Sequence, residues 1–221
     1  MKFKNSQNFT FKDQSLFLLP QKALYWEEKK MLIISDVHFG KSGHFRKHGI
    51  AVPDSVNKSN ISRLDDVVQN CEPEKIIFLG DLFHSESNKE VEQFKEWRQS
   101  YASTEMILTI GNHDLLTGFE YEKMGLNCVN RFEATPFTFV HDESNHNQSS
   151  FYPISGHIHP AIKLKGKGRQ RIYMPCFYFG KDAALLPAFG SFTGSYRINP
   201  TQNEFVYAIV EGEVVRIPTN Y

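Results

Sequence analysis

The sequence is short of cysteine, of long apolar runs and of any excess of one charge, and each shortage removes a class of protein. Three cysteines (Cys71, Cys128, Cys176) make an odd count without metal-ligand spacing. A disulfide framework and a thiolate metal site are therefore set aside, and reduced thiols in a cytoplasmic protein are expected. The apolar run near the start, Leu16 to Leu19, is too short for a signal sequence. No segment approaches the roughly 18 apolar residues of a membrane span, so no membrane partner is expected. Lysine plus arginine (25) balance aspartate plus glutamate (25). The whole molecule thus offers no strong pull on nucleic acid or acidic membranes, and any attraction must be local. Also missing are a Gly-x-Ser-x-Gly elbow, a phosphate-cradling P-loop, internal repeats, low-complexity tracts and a linker. With 221 residues, 40% hydrophobic and 23% charged, one domain over residues 1–221 is expected, large enough to bury a core.

What is present is a regular alternation. Residues 9–26 read as short antiparallel strands broken at Lys12-Asp13-Gln14 and Pro20-Gln21. Three continuous apolar runs follow, Met31–Ile34, Ile76–Leu79 and Met106–Ile110, as expected of central strands covered on both faces. Between them lie helical patterns. One runs from Asp54 or Ser55 to about Asn70 with Ile61, Leu64, Val67 and Val68 inward. The next, opened by Ser87 and Glu90 in capping-box spacing, puts Val91, Phe94, Trp97 and Tyr101 on one side. A short helix to about Met124 comes next. After Gly125 the pattern is mainly strands: 137–140, 152–155, 172–174, 192–198 and a hairpin from Phe205 to Ile217 turning near Glu211-Gly212. A β-α-β-α-β half and a strand-rich half predict an α/β fold with two sheets face to face and helices outside.

Each apolar run ends in a polar motif: Asp36-Val37-His38, Gly80-Asp81, and Gly111-Asn112-His113-Asp114. Gly156-His157-Ile158-His159 comes later, and His141 directly follows a strand. Ligands bind beyond the carboxyl ends of strands in open α/β sheets. Asp36, His38, Asp81, Asn112, His141, His157 and His159 are the candidate ligands; His141 is preferred to His146, which sits in a polar loop. The mixed nitrogen and oxygen set suits manganese, with iron or zinc as alternatives, better than calcium or magnesium. Seven ligands exceed one tetrahedral site and suit two adjacent divalent metal ions bridged by a carboxylate and a water.

Asp-x-His, Gly-Asp, Gly-Asn-His-Asp, a lone His and Gly-His-x-His, in this order over residues 36–159, resemble the calcineurin-like metallophosphoesterase superfamily. The resemblance implies a four-layer α-β-β-α sandwich of two mixed sheets flanked by helices. It implies that Asp36, His38 and His159 hold one metal, that Asn112, His141 and His157 hold the second, and that Asp81 bridges them. His113 becomes the acid for the leaving oxygen, oriented by Asp114, with Asn112 beside it. The flanks His38-Phe39-Gly40-Lys41, His44-Phe45-Arg46, Gly49-Ile50, Val52-Pro53, Gly80 to Ser85 and Leu186 to Gly194 are similar to the bacterial ligase-associated DNA damage response endonucleases. That likeness implies a metal-dependent phosphodiesterase or endonuclease using a metal-bridging hydroxide, acting on DNA in DNA repair, with association to a DNA ligase and a helicase. The alternative is a small-molecule phosphoesterase for a nucleotide or sugar phosphate. A serine/threonine protein phosphatase needs Asp and Arg after Asp81, where Leu82-Phe83-His84-Ser85 stands. A non-catalytic scaffold is expected to lose ligand histidines, and all are here.

Lys41, His44, Arg46 and His84 are candidate substrate contacts at the rim, with Lys47 beside them. Lys163, Lys165, Lys167, Arg169 and Arg171 put five cations within nine residues just after His159, a candidate backbone-tracking hairpin. Phe177, Tyr178, Phe179, Phe189 and Phe192 are read as core or, alternatively, as stacking surfaces. Cys176 is read as a buried small apolar residue.

Overall fold

The computed structural model describes residues 3–41, 55–84, 89–114, 116–145, 149–165, 171–191 and 193–219. The first sheet is built in chain order from β1 (Gln7–Phe11), β2 (Gln14–Leu19), β3 (Ala23–Trp26), β4 (Met31–Ser35), β5 (Lys75–Leu79), β6 (Glu105–Thr109) and β7 (Asn127–Val129). Strands β1 to β4 pair antiparallel through short turns, whereas β4 to β7 run parallel. Parallel pairing needs crossovers, and helices supply them: α1 (Ser55–Cys71), α2 (Lys89–Ser100) and α3 (Gly118–Lys123). Helix α3 starts where Thr117 and Glu120 exchange side-chain and backbone hydrogen bonds, a capping box. The expected Ser87–Glu90 box lies outside the described residues.

The continuous apolar runs are explained by two different coverings. Leu32, Ile34, Ile76, Phe78, Met106 and Leu108 face the helices, packing on Leu64, Val67, Val68, Val91, Phe94, Trp97 and Tyr121. Ile33, Ile77, Leu79 and Ile107 face the second sheet and meet Phe137, Phe139, Ile154, Phe177 and Phe179. That second sheet is made of β8 (Phe132–Ala134), β9 (Phe137–Phe139), β10 (Tyr152–Ser155), β11 (Pro160–Lys165), β12 (Arg171–Phe179), β13 (Ala184–Leu185), β14 (Tyr196–Arg197) and the hairpin β15 (Phe205–Val210) and β16 (Glu213–Ile217).

The fold is therefore mixed α/β with two face-to-face mixed sheets, as expected, and it differs in its helical covering and in the bounds of two strands. The three α-helices of the described residues share one core on the outer face of the first sheet. The second sheet's outer face carries only the small cluster Ile162, Cys176, Ile198, Val206 and Ala208, with no α-helix over it among the described residues. Its strands join largely by hairpins, which need no helical crossover, so the fourth layer implied by the resemblance is thin. The expected strand at 172–174 is the first part of the longer β12, and the one at 192–198 contracts to β14, with Phe192 outside the described residues. Phe177, Phe179 and Phe189 are fully buried, so they serve as core and not as stacking platforms. Cys176 is buried as expected. No helix among the described residues is long and apolar enough to cross a membrane.

Candidate metal centre

The loops after β4 and β5 are sewn together by backbone hydrogen bonds. His38 N–H donates to the Asp81 carbonyl (2.9 Å), Phe39 N–H to Leu82 (2.8 Å), and His84 N–H back to Phe39 (2.8 Å). A third segment docks on the first loop where Phe189 N–H reaches Ser35 O (2.7 Å) and Gly190 N–H reaches Asp36 O (2.9 Å). The second sheet joins through Gly156 N–H to His141 O (3.1 Å) and His157 N–H to Asp36 Oδ2 (3.0 Å). The carboxyl ends of strands from both sheets thus meet at one spot, and every predicted ligand stands there.

Two clusters result. In the first, Asp36, His38 and His159 bring ligand atoms within 4.8 Å of one another. His159 Nδ1 donates to the Gly194 carbonyl (3.0 Å), which leaves Nε2 with its lone pair 3.2 Å from Asp36 Oδ1. Asp36 Oδ1, both His38 ring nitrogens and His159 Nε2 have no hydrogen-bond partner among the described residues. A neutral His38 ring carries one N–H, so three of these atoms are acceptors; buried acceptors are rarely orphaned, and a shared cation would satisfy one from each residue. Burial and then the nearby Lys41 charge push His38 down to about 3, so its imidazole is neutral.

In the second cluster, His141 Nδ1 donates to the Leu79 carbonyl (2.9 Å) and so presents a bare Nε2. That nitrogen lies 3.0 Å from Asn112 Oδ1, 3.1 Å from His157 Nδ1 and 3.5 Å from Asp81 Oδ1. Without a cation, a His157 N–H can donate to this nitrogen; a cation among these groups would take the lone pairs of His141, His157, Asn112 and Asp81 together. Asp81 stands between the clusters, its Oδ2 3.7 Å from His38 Nε2 and its Oδ1 facing His141. The residues therefore fit divalent metal on both sides of Asp81.

The backbone pays for this convergence in strain. Asp36, His38, Asp81, His157 and His159 all sit at φ between 51° and 63°, a left-handed region that costs a non-glycine residue of order 1 kcal/mol or more. Gly156 is needed for closeness: a Cβ there would overlap Ser35 Oγ and Asp36 Oδ2. Gly80, at φ 69°, would drive one into the His141 ring.

Asp114 is placed otherwise than expected. Its carboxylate accepts N–H bonds from Asp81 (2.9 Å), Leu82 (2.8 Å) and Gly111 (2.8 Å) and the Tyr121 hydroxyl (3.0 Å). No hydrogen bond joins it to the His113 ring. It clamps the Asp81 loop to the Gly111 loop, because five donors, Phe83 N–H (3.4 Å) included, converge on it, and does not orient His113. Burial raises its pKa, with those N–H donors opposing. His113 is tied down instead by its own N–H to Asp81 Oδ1 (2.9 Å). Its exposed ring lies 5.8 Å from that of His38 and 5.2 Å from that of His84, centroid to centroid. His84 is thus at the centre, with its ring also 5.6 Å from His38. Lys41 is half-buried, and the charges of Asp81 and Asp36 reach it. His44, Arg46 and Lys47 lie outside the described residues, as do Lys167 and Arg169. Ser35, Tyr121 and the Gly194 carbonyl are supports that sequence motifs did not mark, since their partners are distant in the chain.

Residues 29–181 match the calcineurin-like phosphoesterase family, and the chain belongs to that family. It is accordingly a hydrolase of phosphoester bonds in a family that uses divalent metals. The chain is similar to Pseudomonas putida nuclease MPE, with a TM-score of 0.82 and 29% identity over 96% of this chain and 100% of that one. Two other structures resemble it less. AQ665 of Aquifex aeolicus, a protein of unknown function, gives TM-score 0.39 at 18% identity over 63% of this chain and 82% of that one. A predicted phosphoesterase of Streptococcus pneumoniae gives 0.36 at 11% over 85% and 95%. No protein of curated function matches the sequence.

Proposed function

We propose that this phosphoesterase is a two-metal phosphodiesterase that cuts DNA, in the setting of DNA repair. The observation that carries the metal reading is the pair of ligand-atom clusters on either side of Asp81, the first with Asp36 Oδ1 and His159 Nε2 orphaned. Asp36, His38 and His159 would hold one ion, Asn112, His141 and His157 the other, with Asp81 shared. The mixed donors favour manganese. When bound, two such ions supply neutralisation of the phosphoester charge and acidify the attacking water. The chain's own residues do the rest. The strained, cross-linked loops fix the donors before substrate arrives, which is the preorganisation such chemistry needs. The exposed His113 imidazole gives a proton to the leaving oxygen. His84 and Lys41 contact the phosphate beside it.

DNA as substrate is supported by the flanking motifs and by similarity to a nuclease along 96% of the chain. Exposure of Asn112, His113 and His157 supports a substrate larger than a closed pocket admits. The ligase and helicase association rests on the flanking motifs. The test is hydrolysis by manganese-loaded protein of single-stranded, nicked and 3′-blocked DNA beside nucleotides and bis-p-nitrophenyl phosphate. Cleavage of DNA is expected; cleavage of small esters alone, even at low salt, overturns the DNA reading.

A further inference from the structure

A cleft of about 200 Å³ opens directly off the metal centre, with His159 in its wall beside Lys22, Ser191, Thr193, Ser195 and Tyr173. Lys22 comes from the turn between β2 and β3, far from every motif, at φ 66°. We propose that this cleft is a second phosphate subsite: it holds the backbone phosphate next to the scissile one in a single-stranded nucleic acid, with Lys22 as its cation and Tyr173 as a base platform. The inference rests on the nucleic-acid reading above.

Four observations carry it. No aspartate or glutamate lines the cleft, and among the described residues no carboxylate pairs with Lys22. Its charged neighbour is another cation, Arg63, whose guanidinium is spent on neutral groups: the Phe189 carbonyl, Asn60 Oδ1 (3.1 Å) and the Phe189 ring (4.3 Å). Burial and the Arg63 charge push the Lys22 ammonium down to about 8. A lysine kept for structure would be paired; here an anion is the missing partner.

The wall is also built in advance. Asn60 takes both Arg63 and the Ser191 hydroxyl (3.3 Å), and Gly190 N–H is fixed on the Asp36 carbonyl. The hydroxyl-bearing segment is therefore locked to the first ligand loop, at a set distance from the metal centre.

Finally, the cleft leads somewhere. Ala161 and Pro175, which line it, are register partners across β11 and β12. Two residues on, Lys163 faces Tyr173 across the same two strands, and Arg171 follows on that face. Tyr173 is 49% exposed and Tyr196, beside Pro160 on β14, 64%. Exposed aromatics between cations are what a sequence-tolerant single-strand track uses.

The test is steady-state cleavage of a labelled oligothymidylate by manganese-loaded protein across a salt series. Lys22→Met is expected to raise KM about tenfold, with kcat changed less, and to lower the slope of log kcat/KM against log salt by about 0.7, the value of one single-strand phosphate contact. Lys22→Arg restores both. Lys95→Gln, the same charge loss on the remote helix α2, leaves both as in wild type. Tyr173→Ala raises KM about tenfold through lost stacking. Thermal melting of Lys22→Met is expected at or above the wild-type midpoint. A wild type that cleaves the oligonucleotide while Lys22→Met keeps its KM and salt slope overturns the subsite. A lowered melting point with unchanged KM assigns Lys22 a structural role and also overturns it. A wild type that hydrolyses bis-p-nitrophenyl phosphate but not the oligonucleotide overturns the nucleic-acid reading instead.

Discussion

The candidate ligands differ in depth within each cluster. Asp36, His38, Asp81 and His141 are buried, on loops held at the ends of β4, β5 and β9, whereas Asn112 and His157 are exposed beside His113. The inner group is fixed by the fold whether or not a metal is bound, and its orphaned acceptors must stay where they are. The outer side chains can turn to water when no ion is present. Depth thus separates residues that build the centre from residues that complete it. Asp81 is buried and stands between the two proposed sites, so it is the first place to break the contrast. Asp81→Asn is expected to weaken both metals and lower kcat/KM at least about 10³-fold, roughly 4 kcal/mol. Metal analysis of the purified variant checks it, and two tightly held ions would refute the shared role.

His113 sharpens the contrast from the exposed side. His113→Ala removes the acid but no proposed ligand, so a fall of about 10²- to 10³-fold in kcat is expected with metal content unchanged. A leaving group of low pKa, such as p-nitrophenolate, needs less protonation, so the defect with bis-p-nitrophenyl phosphate should be smaller than with DNA. Equal defects on both substrates would reject the acid role.

The inner group also predicts a stability effect without any turnover. Converging acceptors destabilise the metal-free fold, and an ion that binds only the folded chain stabilises it by mass action. At manganese 100-fold above its Kd the gain is about 2.7 kcal/mol, a rise in melting midpoint of roughly 5–10 °C for a chain of this size. Chelator should reverse it. The outer group acts on one site: His157→Ala is expected to weaken one ion, with the other retained in titration calorimetry. Loss of both ions together would merge the two groups into one.

Much of this was legible in the sequence. Apolar runs ending in Asp-x-His, Gly-Asp and Gly-Asn-His-Asp carry both the strand and its ligand, since a doubly covered strand must be apolar and its carboxyl end must be where a ligand binds. The seven candidate ligands and the face-to-face sheets follow from that pattern. What was hidden depends on partners distant in the chain. Asp114 reads as a companion to His113, but its acceptors are claimed by backbone N–H groups some thirty residues away. The left-handed φ values at Asp36, His38 and Asp81 leave no mark in residue type. They are imposed by tertiary hydrogen bonds such as His38 N–H to Asp81 O. Strands β7, β8 and β13 are three residues or fewer and form only against existing neighbours.

Lys22 extends the contrast in depth to a residue that no motif touches, and its expected effect is the smallest. Its pKa falls from the usual 10.5 to about 8, by burial first and then by Arg63. Between about pH 8 and 10.5 the unfolded chain therefore binds more protons at this position than the folded one. Folding stability should rise with pH through that window and carry the full penalty below it. The shift caps the penalty at roughly 3 kcal/mol; allowing for residual solvent contact, about 1–2 kcal/mol is expected. Lys22→Met should recover that amount at pH 7, seen in denaturant unfolding, and remove the rise between pH 8 and 10. A variant less stable than wild type at pH 7 would mean that the lysine is satisfied in the free protein and that no anion is needed to complete it.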